Sequence, residues 1–135
     1  MSVSGDILEI TFNHKVEGNF SVFCKSNESG TLEKGGLRSN DDENAITGAG
    51  TLLDQMNRVV AYFEAPPVDW DMTDTDALEK LSKLAESPFL SDIVISSITG
   101  TNWGGRGKPA GAIPGDTNTG LVTLKLKFEN KLNQL

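Results

Sequence analysis

The sequence has little cysteine and little histidine. Cys24 and His14 are the single examples of each residue among 135. One cysteine excludes an intramolecular disulfide, and its position in the apolar run 20–24 favours a small buried hydrophobe over a reactive thiol. The one histidine lies in a predicted turn, and no Ser or Cys nucleophile motif accompanies it. The sequence therefore does not predict a catalytic triad.

Basic charge is also scarce. Twelve Lys and Arg face nineteen Asp and Glu, so the formal net charge is −7 and the pI is near 4.6. This balance argues against binding to the phosphate backbone of a nucleic acid, which requires clustered Lys and Arg that displace its counterions. The acidic surface either keeps copies of a soluble chain apart or lines a passage through which another polyanion slides. Composition leaves both possibilities open.

Long hydrophobic runs are absent. The longest aliphatic cluster, residues 93–95, is far too short to cross a bilayer, and the start of the chain lacks the basic and apolar regions of a leader. We therefore expect a protein made and kept in a cytoplasm, with no membrane partner. The 14 Gly, 5 Pro and 37% hydrophobic residues instead favour a β-rich body with large loops.

Alternating apolar and polar residues predict five antiparallel strands. They cover residues 6–13, 19–25, 58–64, 92–98 and 121–128. The first two form a hairpin around a turn at 14–18. Leu8, Ile10 and Phe12 share one face of the first strand, and Val59, Ala61 and Phe63 share one face of the third. The last strand has the cleanest alternation.

A short amphipathic helix is predicted between the third and fourth strands. Leu78, Leu81 and Ala85 recur at helical spacing, Leu84 widens the stripe, and residues 73–76 supply capping oxygens at the start. Ser87-Pro88 ends the helix. The predicted architecture is a single domain over residues 1–135, mainly β, with a five- or six-stranded antiparallel sandwich or barrel, one flanking α-helix and two long loops.

The two long segments are harder to explain within one chain. Residues 26–51 are polar, and we expect 52–56 to re-enter the body. Residues 99–120 are rich in glycine and contain almost no aliphatic side chains, so they are expected to contribute little to their own core and to need an outside partner. Trp103 either folds back on its own barrel or anchors, with Arg106, in a neighbouring subunit.

Acidic and glycine-rich motifs offer weak alternatives. Asp69, Asp71, Asp74 and Asp76 suit a calcium loop or an acid/base pair less well than helix capping, because the EF-hand spacing is missing. Residues 104–108 fail the P-loop pattern. Residues 39–44 are best interpreted as a solvated acidic loop, with a lumen or subunit contact as the second interpretation. We therefore expect no catalytic, metal or cofactor residues. A small-ligand-binding β-barrel, or an aspartate-dependent hydrolase, remains as an alternative.

Five motifs, taken in order, resemble the tail tube proteins of tailed bacteriophages, in particular the compact single-domain type. They are GDILEITF at 5–12, GLRSNDD at 36–42, DQMNR at 54–58, NWGGRGKPAG at 102–111 and LVTLKL at 121–126. Each motif alone is of low specificity, and their order and spacing carry the resemblance over nearly the whole chain.

The resemblance implies a non-enzymatic structural subunit without a cofactor. Copies would form hexameric rings that stack into a tube, whose acidic lumen conducts the genome during ejection without binding DNA specifically. Assembly in the host cytoplasm would place the protein in the virion tail, with the tail sheath, tape measure and tail-terminator or initiator proteins as further partners. The implied subunit-interface residues are Gly36, Leu37, Arg38, Asn40, Asp41, Asp42, Trp103, Gly104, Gly105, Arg106 and Lys108.

Overall fold

The computed structural model describes residues 1–73 and 76–135, which form twelve strands and one helix. The elements are β1 (Ile7–His14), β2 (Gly18–Phe23), β3 (Thr31–Glu33), β4 (Gly36–Ser39), β5 (Met56–Val59), β6 (Tyr62–Glu64), β7 (Val68–Asp69), α1 (Asp76–Glu86), β8 (Ser91–Ser97), β9 (Asn102–Pro109), β10 (Gly115–Asp116), β11 (Leu121–Val122) and β12 (Lys125–Gln134). The expected cap of α1 at Asp74 lies outside the described residues.

The body is a curled antiparallel sheet. Seven strands are hydrogen-bonded in the order β2-β1-β8-β9-β12-β6-β3, and three more in the order β10-β11-β7. The pairing of β12 with β6 continues as β11 with β7, and a bridge from Cys24 to Val68 joins the end of β2 to β7. The two sheets therefore enclose one core, and the predicted mainly β class with a single flanking helix is confirmed.

That core is built by the alternation visible in the sequence. In β1, Ile10 and Phe12 are fully buried, and Phe12 stacks on Phe20 of β2 with ring centroids 5.0 Å apart. In α1, Leu81 and Leu84 are fully buried and belong to the same cluster. Each buried aliphatic side chain of this size contributes roughly 1.5–3 kcal/mol, so the helix is held on the sheet by its apolar stripe.

The first hairpin forms as predicted, with one exception at its start. β1 and β2 pair from His14↔Gly18 to Glu9↔Phe23. Leu8, expected on the core face, is instead 46% exposed, because the register of β1 against β8 shifts between Ile7 and Glu9.

The final strand also forms as predicted and continues further. Leu124, Leu126 and Phe128 are buried, whereas Lys125 and Lys127 are exposed. β12 then passes an irregularity between Glu129 and Asn133 and pairs with β9 as far as Gln134. Leu132, within this irregular stretch, is fully buried.

The prediction that residues 99–120 contribute little to the core is wrong. Residues 102–109 form β9, which lies between β8 and β12 near the middle of the large sheet. A Cβ on Gly105 would lie 2.9 Å from Leu132 Cδ2 and 3.2 Å from Phe128 Cδ1. The glycines therefore leave room for side chains of β12, and the missing aliphatic groups of β9 are supplied by its neighbour.

The expected strand 58–64 is divided in two. Ala61 and Phe63 are buried as predicted, but Val59 is 37% exposed, because β5 pairs with β4 and not with the body. Residues 26–51, expected as a loop, contain β3, which pairs with β6 at the sheet edge, and β4.

Candidate subunit interface

Residues 36–59 form a long β-hairpin, here called the arm. Its root is the ladder of β4 and β5, from Gly36↔Val59 to Ser39↔Met56. Cross-strand backbone bonds continue beyond the ladder, from Asn40 N–H to the Gln55 carbonyl at 2.7 Å and from Leu53 N–H to the Ala45 carbonyl at 2.7 Å. Thr47 N–H donates to the Thr51 carbonyl at 2.8 Å at the far end. The arm is thus paired along most of its length.

The arm stands away from the body. From Leu37 to Val60 every residue is exposed except Ala45, which is half-buried. The prediction that 52–56 re-enters the body is therefore wrong: Leu52 is 70% exposed and Met56 is 52% exposed. Ordering these residues costs backbone entropy that the exposed side chains do not offset within this chain.

The outer part of the arm is acidic as well as apolar. Residues 40–55, here called the tip, carry four carboxylates, on Asp41, Asp42, Glu43 and Asp54, and no Lys or Arg. Its exposed aliphatic side chains are Ile46, Leu52 and Leu53. Local bonds such as Asn44 N–H to Asp42 Oδ1 at 3.0 Å shape this end. The predicted solvated acidic segment at 39–44 is confirmed as exposed.

A groove lies at the root of the arm, where β4 and β5 meet β12. This groove, here called the root groove, has a volume of about 530 Å³. It is lined by Gly36, Leu37, Arg58, Val59, Val60, Phe128, Asn130 and Lys131. Within the described chain neither Arg58 nor Lys131 forms an ion pair. Arg38, close by, is occupied, since its guanidinium is 2.8 Å from Glu33. The groove therefore combines apolar walls with two cations.

The first set of predicted interface residues lies on the arm. Gly36, Leu37 and Arg38 are in β4 at the root, and Asn40, Asp41 and Asp42 begin the tip. All of them except the half-buried Gly36 are exposed. They are accessible to a partner.

The second set lies in β9, not on a projecting segment. Trp103 packs against the protein's own core cluster, which favours the fold-back interpretation over anchoring in a neighbour. Gly104 is buried and Gly105 is half-buried. Arg106 remains exposed, 3.5 Å from Asp92. No strand pairing in the described ranges joins this set to the arm.

Lys108 belongs to a small polar cluster at one end of the body. Its Nζ donates to the Ser87 carbonyl at 2.9 Å. His14 Nδ1 accepts from the backbone N–H groups of Val16 and Glu17, both at 3.1 Å. In the neutral ring Nε2 therefore carries the proton and donates to Ser87 Oγ at 3.2 Å. A ring held in this tautomer ties the β1–β2 turn to the end of α1 and does not accept a proton from Ser87.

The other candidate side chains have local roles. Asp71 Oδ1 accepts from the Thr73 N–H at 2.9 Å and from its hydroxyl at 2.7 Å. Hydrogen bonds from the Asn118 and Thr119 N–H groups lower the pKa of Asp116. Burial raises the pKa of the Cys24 thiol from 9.0 to about 11. In the part of the chain that is described, no three His, Cys, Asp or Glu side chains are grouped to hold a metal ion.

Sequence reasoning missed several residues of this surface. The sequence predicts that Leu52, Leu53 and Met56 lie in the body, and it predicts no role for Arg58 or Lys131. The adjacent Leu52 and Leu53, flanked by polar residues, follow no period-two face, and this is the one signal that distinguished them from a core strand.

No helix in residues 1–73 or 76–135 has the length and hydropathy needed to span a membrane. No known family profile matches the sequence, and no curated protein sequence does. Among solved structures, the chain is similar to one in the cryo-EM structure of the anti-feeding prophage (AFP) baseplate, 6-fold symmetrised. The TM-score is 0.51 at 18% identity, and the match covers 100% of this chain and 95% of that chain. This protein therefore shares, over its whole length, the fold of a chain in a prophage baseplate.

Proposed function

We propose that this protein is a structural subunit of a phage tail tube. Copies assemble into hexameric rings, the rings stack into a hollow tube, and the tube conducts the genome during ejection. The protein acts without a cofactor and without enzymatic activity, in the virion tail, after assembly in the host cytoplasm. The tail sheath, the tape measure and a terminator or initiator protein are its further partners.

The observation that carries this proposal is the arm. Leu37, Leu52 and Met56 are each more than half exposed on a paired hairpin outside the core. Several large apolar side chains exposed along one hairpin are typical of a surface that contacts another protein. A neighbouring copy supplies the contacts that the arm lacks in its own chain, and every copy in a ring receives the same benefit.

The body supports the same proposal through its open edges. β2 and β3 are the outer strands of the large sheet, and β3 has only three residues. The unpaired N–H and C=O groups of an edge strand can pair with another chain, which promotes aggregation of a monomer but can join the subunits of an assembly. The fold likeness to a chain of a six-fold symmetrised baseplate favours a ring as the form of that assembly.

The charge of the chain suits a conduit for DNA. At a net charge of −7, an inner wall with a negative potential repels phosphates and lets the duplex slide without sticking. The same charge opposes close approach of the copies, so the specific contacts of the arm must exceed this repulsion.

Electron microscopy of the purified protein tests the proposal. Negatively stained protein is expected to show six-fold rings or tubes with a central channel, alone or after addition of tail initiator complexes. Sedimentation should show a shift from monomer to large species as the concentration rises. A protein that stays monomeric at high concentration, with and without initiators, is incompatible with a tube subunit.

A further inference from the structure

The tip and the root groove of the arm are complementary in charge. The tip carries Asp41, Asp42, Glu43 and Asp54 without a cation, and the root groove is lined by Arg58 and Lys131 without an ion-pair partner in the described chain. Unlike charges on two surfaces steer association and define its register.

The two surfaces are also complementary in their apolar parts. Ile46, Leu52 and Leu53 of the tip are 55–70% exposed. The root groove offers Leu37, Val60 and Phe128 along its walls. A cleft of about 530 Å³ is in the size range that takes several side chains of a ligand.

The tip of one chain cannot fill the groove of the same chain. Cross-strand bonds hold the arm as a hairpin from Gly36↔Val59 at the root to Thr47 and Thr51 at the end. At about 3.3 Å per residue, Leu53 of the tip lies on the order of 20 Å along the arm from Val59 in the root groove. Because the pairing keeps the arm extended, the groove is open to a different molecule.

We propose that the acidic tip of one copy inserts into the root groove of the next copy. The inference rests on the proposed function, since the occupant is a second copy of this chain. Leu52 and Leu53 fill the apolar part of the groove, and the carboxylates at 41–43 face Arg58 and Lys131. Tip and groove are different surfaces, so the contact is head-to-tail. Such contacts close into a ring or extend into a filament.

Disulfide trapping tests this contact directly in the full-length protein. One preparation carries Leu52→Cys and the other carries Val60→Cys; the two are mixed and oxidised. Cys24 is retained in both, because its raised pKa keeps the thiol protonated near pH 8. A mixed dimer is expected in excess over either homodimer, since the proposed tip-groove contact brings position 52 of one copy within disulfide range of position 60 of the next. The matched control pairs Leu52→Cys with Val16→Cys, at a position 67% exposed in the β1–β2 turn.

Charge reversal provides a second, independent test of the contact. In the groove variant, Arg58→Glu and Lys131→Glu are combined; in the tip variant, Asp41→Lys and Asp42→Lys are combined. The groove variant alone, in the Val60→Cys protein, is expected to lower the yield of mixed dimer about tenfold, because like charges then face each other. The tip variant alone, in the Leu52→Cys protein, is expected to lower it by the same factor. Placing the groove variant in the Val60→Cys protein and the tip variant in the Leu52→Cys protein is expected to restore the yield.

The outcomes separate this inference from the tube itself. If rings or tubes form but the Leu52→Cys and Val60→Cys proteins are not preferentially trapped, the tip-groove contact is wrong and the tube proposal is unaffected. The same conclusion follows if trapping occurs but charge reversal does not alter its yield. Trapping with charge dependence in a protein that forms no rings or tubes supports the contact and overturns the tube. Equal trapping with the Val16→Cys control also overturns the contact.

Discussion

At the scale of single residues, Gly107 of β9 lies opposite Phe128 of β12 and leaves no room for a side chain. A Cβ at this position would meet the Lys127 carbonyl and would lie 2.9 Å from Phe128 Cδ1. The backbone of β12 cannot move away without breaking its ladder with β6 and β9. We expect Gly107→Ala to lower the free energy of unfolding by about 1–3 kcal/mol, the usual cost of overpacking.

The control for this prediction is Gly48→Ala, at the tip of the arm. A Cβ there meets nothing within 4 Å, so the unfolding free energy should change by less than about 0.5 kcal/mol. Denaturant titrations of both variants measure the difference. Equal stabilities would contradict the close approach of β9 and β12.

We expect ionisation of the Cys24 thiol to lower the free energy of unfolding at alkaline pH. Burial raises the pKa of its thiol to about 11 in the folded protein, whereas the unfolded thiol titrates at its ordinary, lower pKa. The contribution to stability is complete below the unfolded pKa and is lost as the pH rises from about 9 to 11. Denaturant titrations across this range should show a steeper decline in the parent protein than in Cys24→Ala. Identical slopes would mean that the thiol is as well hydrated in the folded state as in the unfolded one.

At the scale of the elements, the arm and α1 carry leucines with opposite roles. Leu52 is 70% exposed and Leu53 is 55% exposed, whereas Leu84 is fully buried. The leucines of the arm lose little contact when shortened in the isolated subunit. We therefore expect Leu52→Ser with Leu53→Ser to change the unfolding free energy by less than about 0.5 kcal/mol per site and to reduce assembly strongly.

Leu84→Ser provides the contrast within the same chain. Removing a buried leucine costs about 2–5 kcal/mol, with a further penalty for a buried hydroxyl. Thermal unfolding measures the stabilities, and sedimentation at matched concentrations measures assembly. An arm variant that assembled as well as the parent would contradict the role of these leucines in the subunit contact.

At the scale of the whole molecule, one core joins the helix to the curled sheet. Leu81 of α1 is fully buried in the same cluster as Ile10 of β1 and Leu126 of β12. A charge placed there has no partner and no water, so we expect Leu81→Asp to unfold the subunit. Circular dichroism should show loss of β structure, whereas Lys83→Asp, at an exposed position two residues later, should remain folded. Retained structure in Leu81→Asp would show that α1 is dispensable to the core.

The elements with a regular hydrophobic period could be located from the sequence alone. Alternation located β1, β2 and β12, and the stripe through Leu81 and Leu84 located α1, because a local period reveals which face is buried. The motif order resembles that of tail tube proteins, and the structure shares its fold with a chain in the anti-feeding prophage baseplate.

The positions of the glycine-rich segment and of the arm depend on contacts between distant parts of the chain, which no local pattern shows. β9 lies in the middle of the sheet because backbone hydrogen bonds and the side chains of β12 hold it there, and glycine has no side chain with which to display a period. Leu52 and Leu53 are exposed because the described part of the chain does not pack against that side of the arm. Hydrophobicity shows that a residue favours burial, but it does not show which surface will cover it.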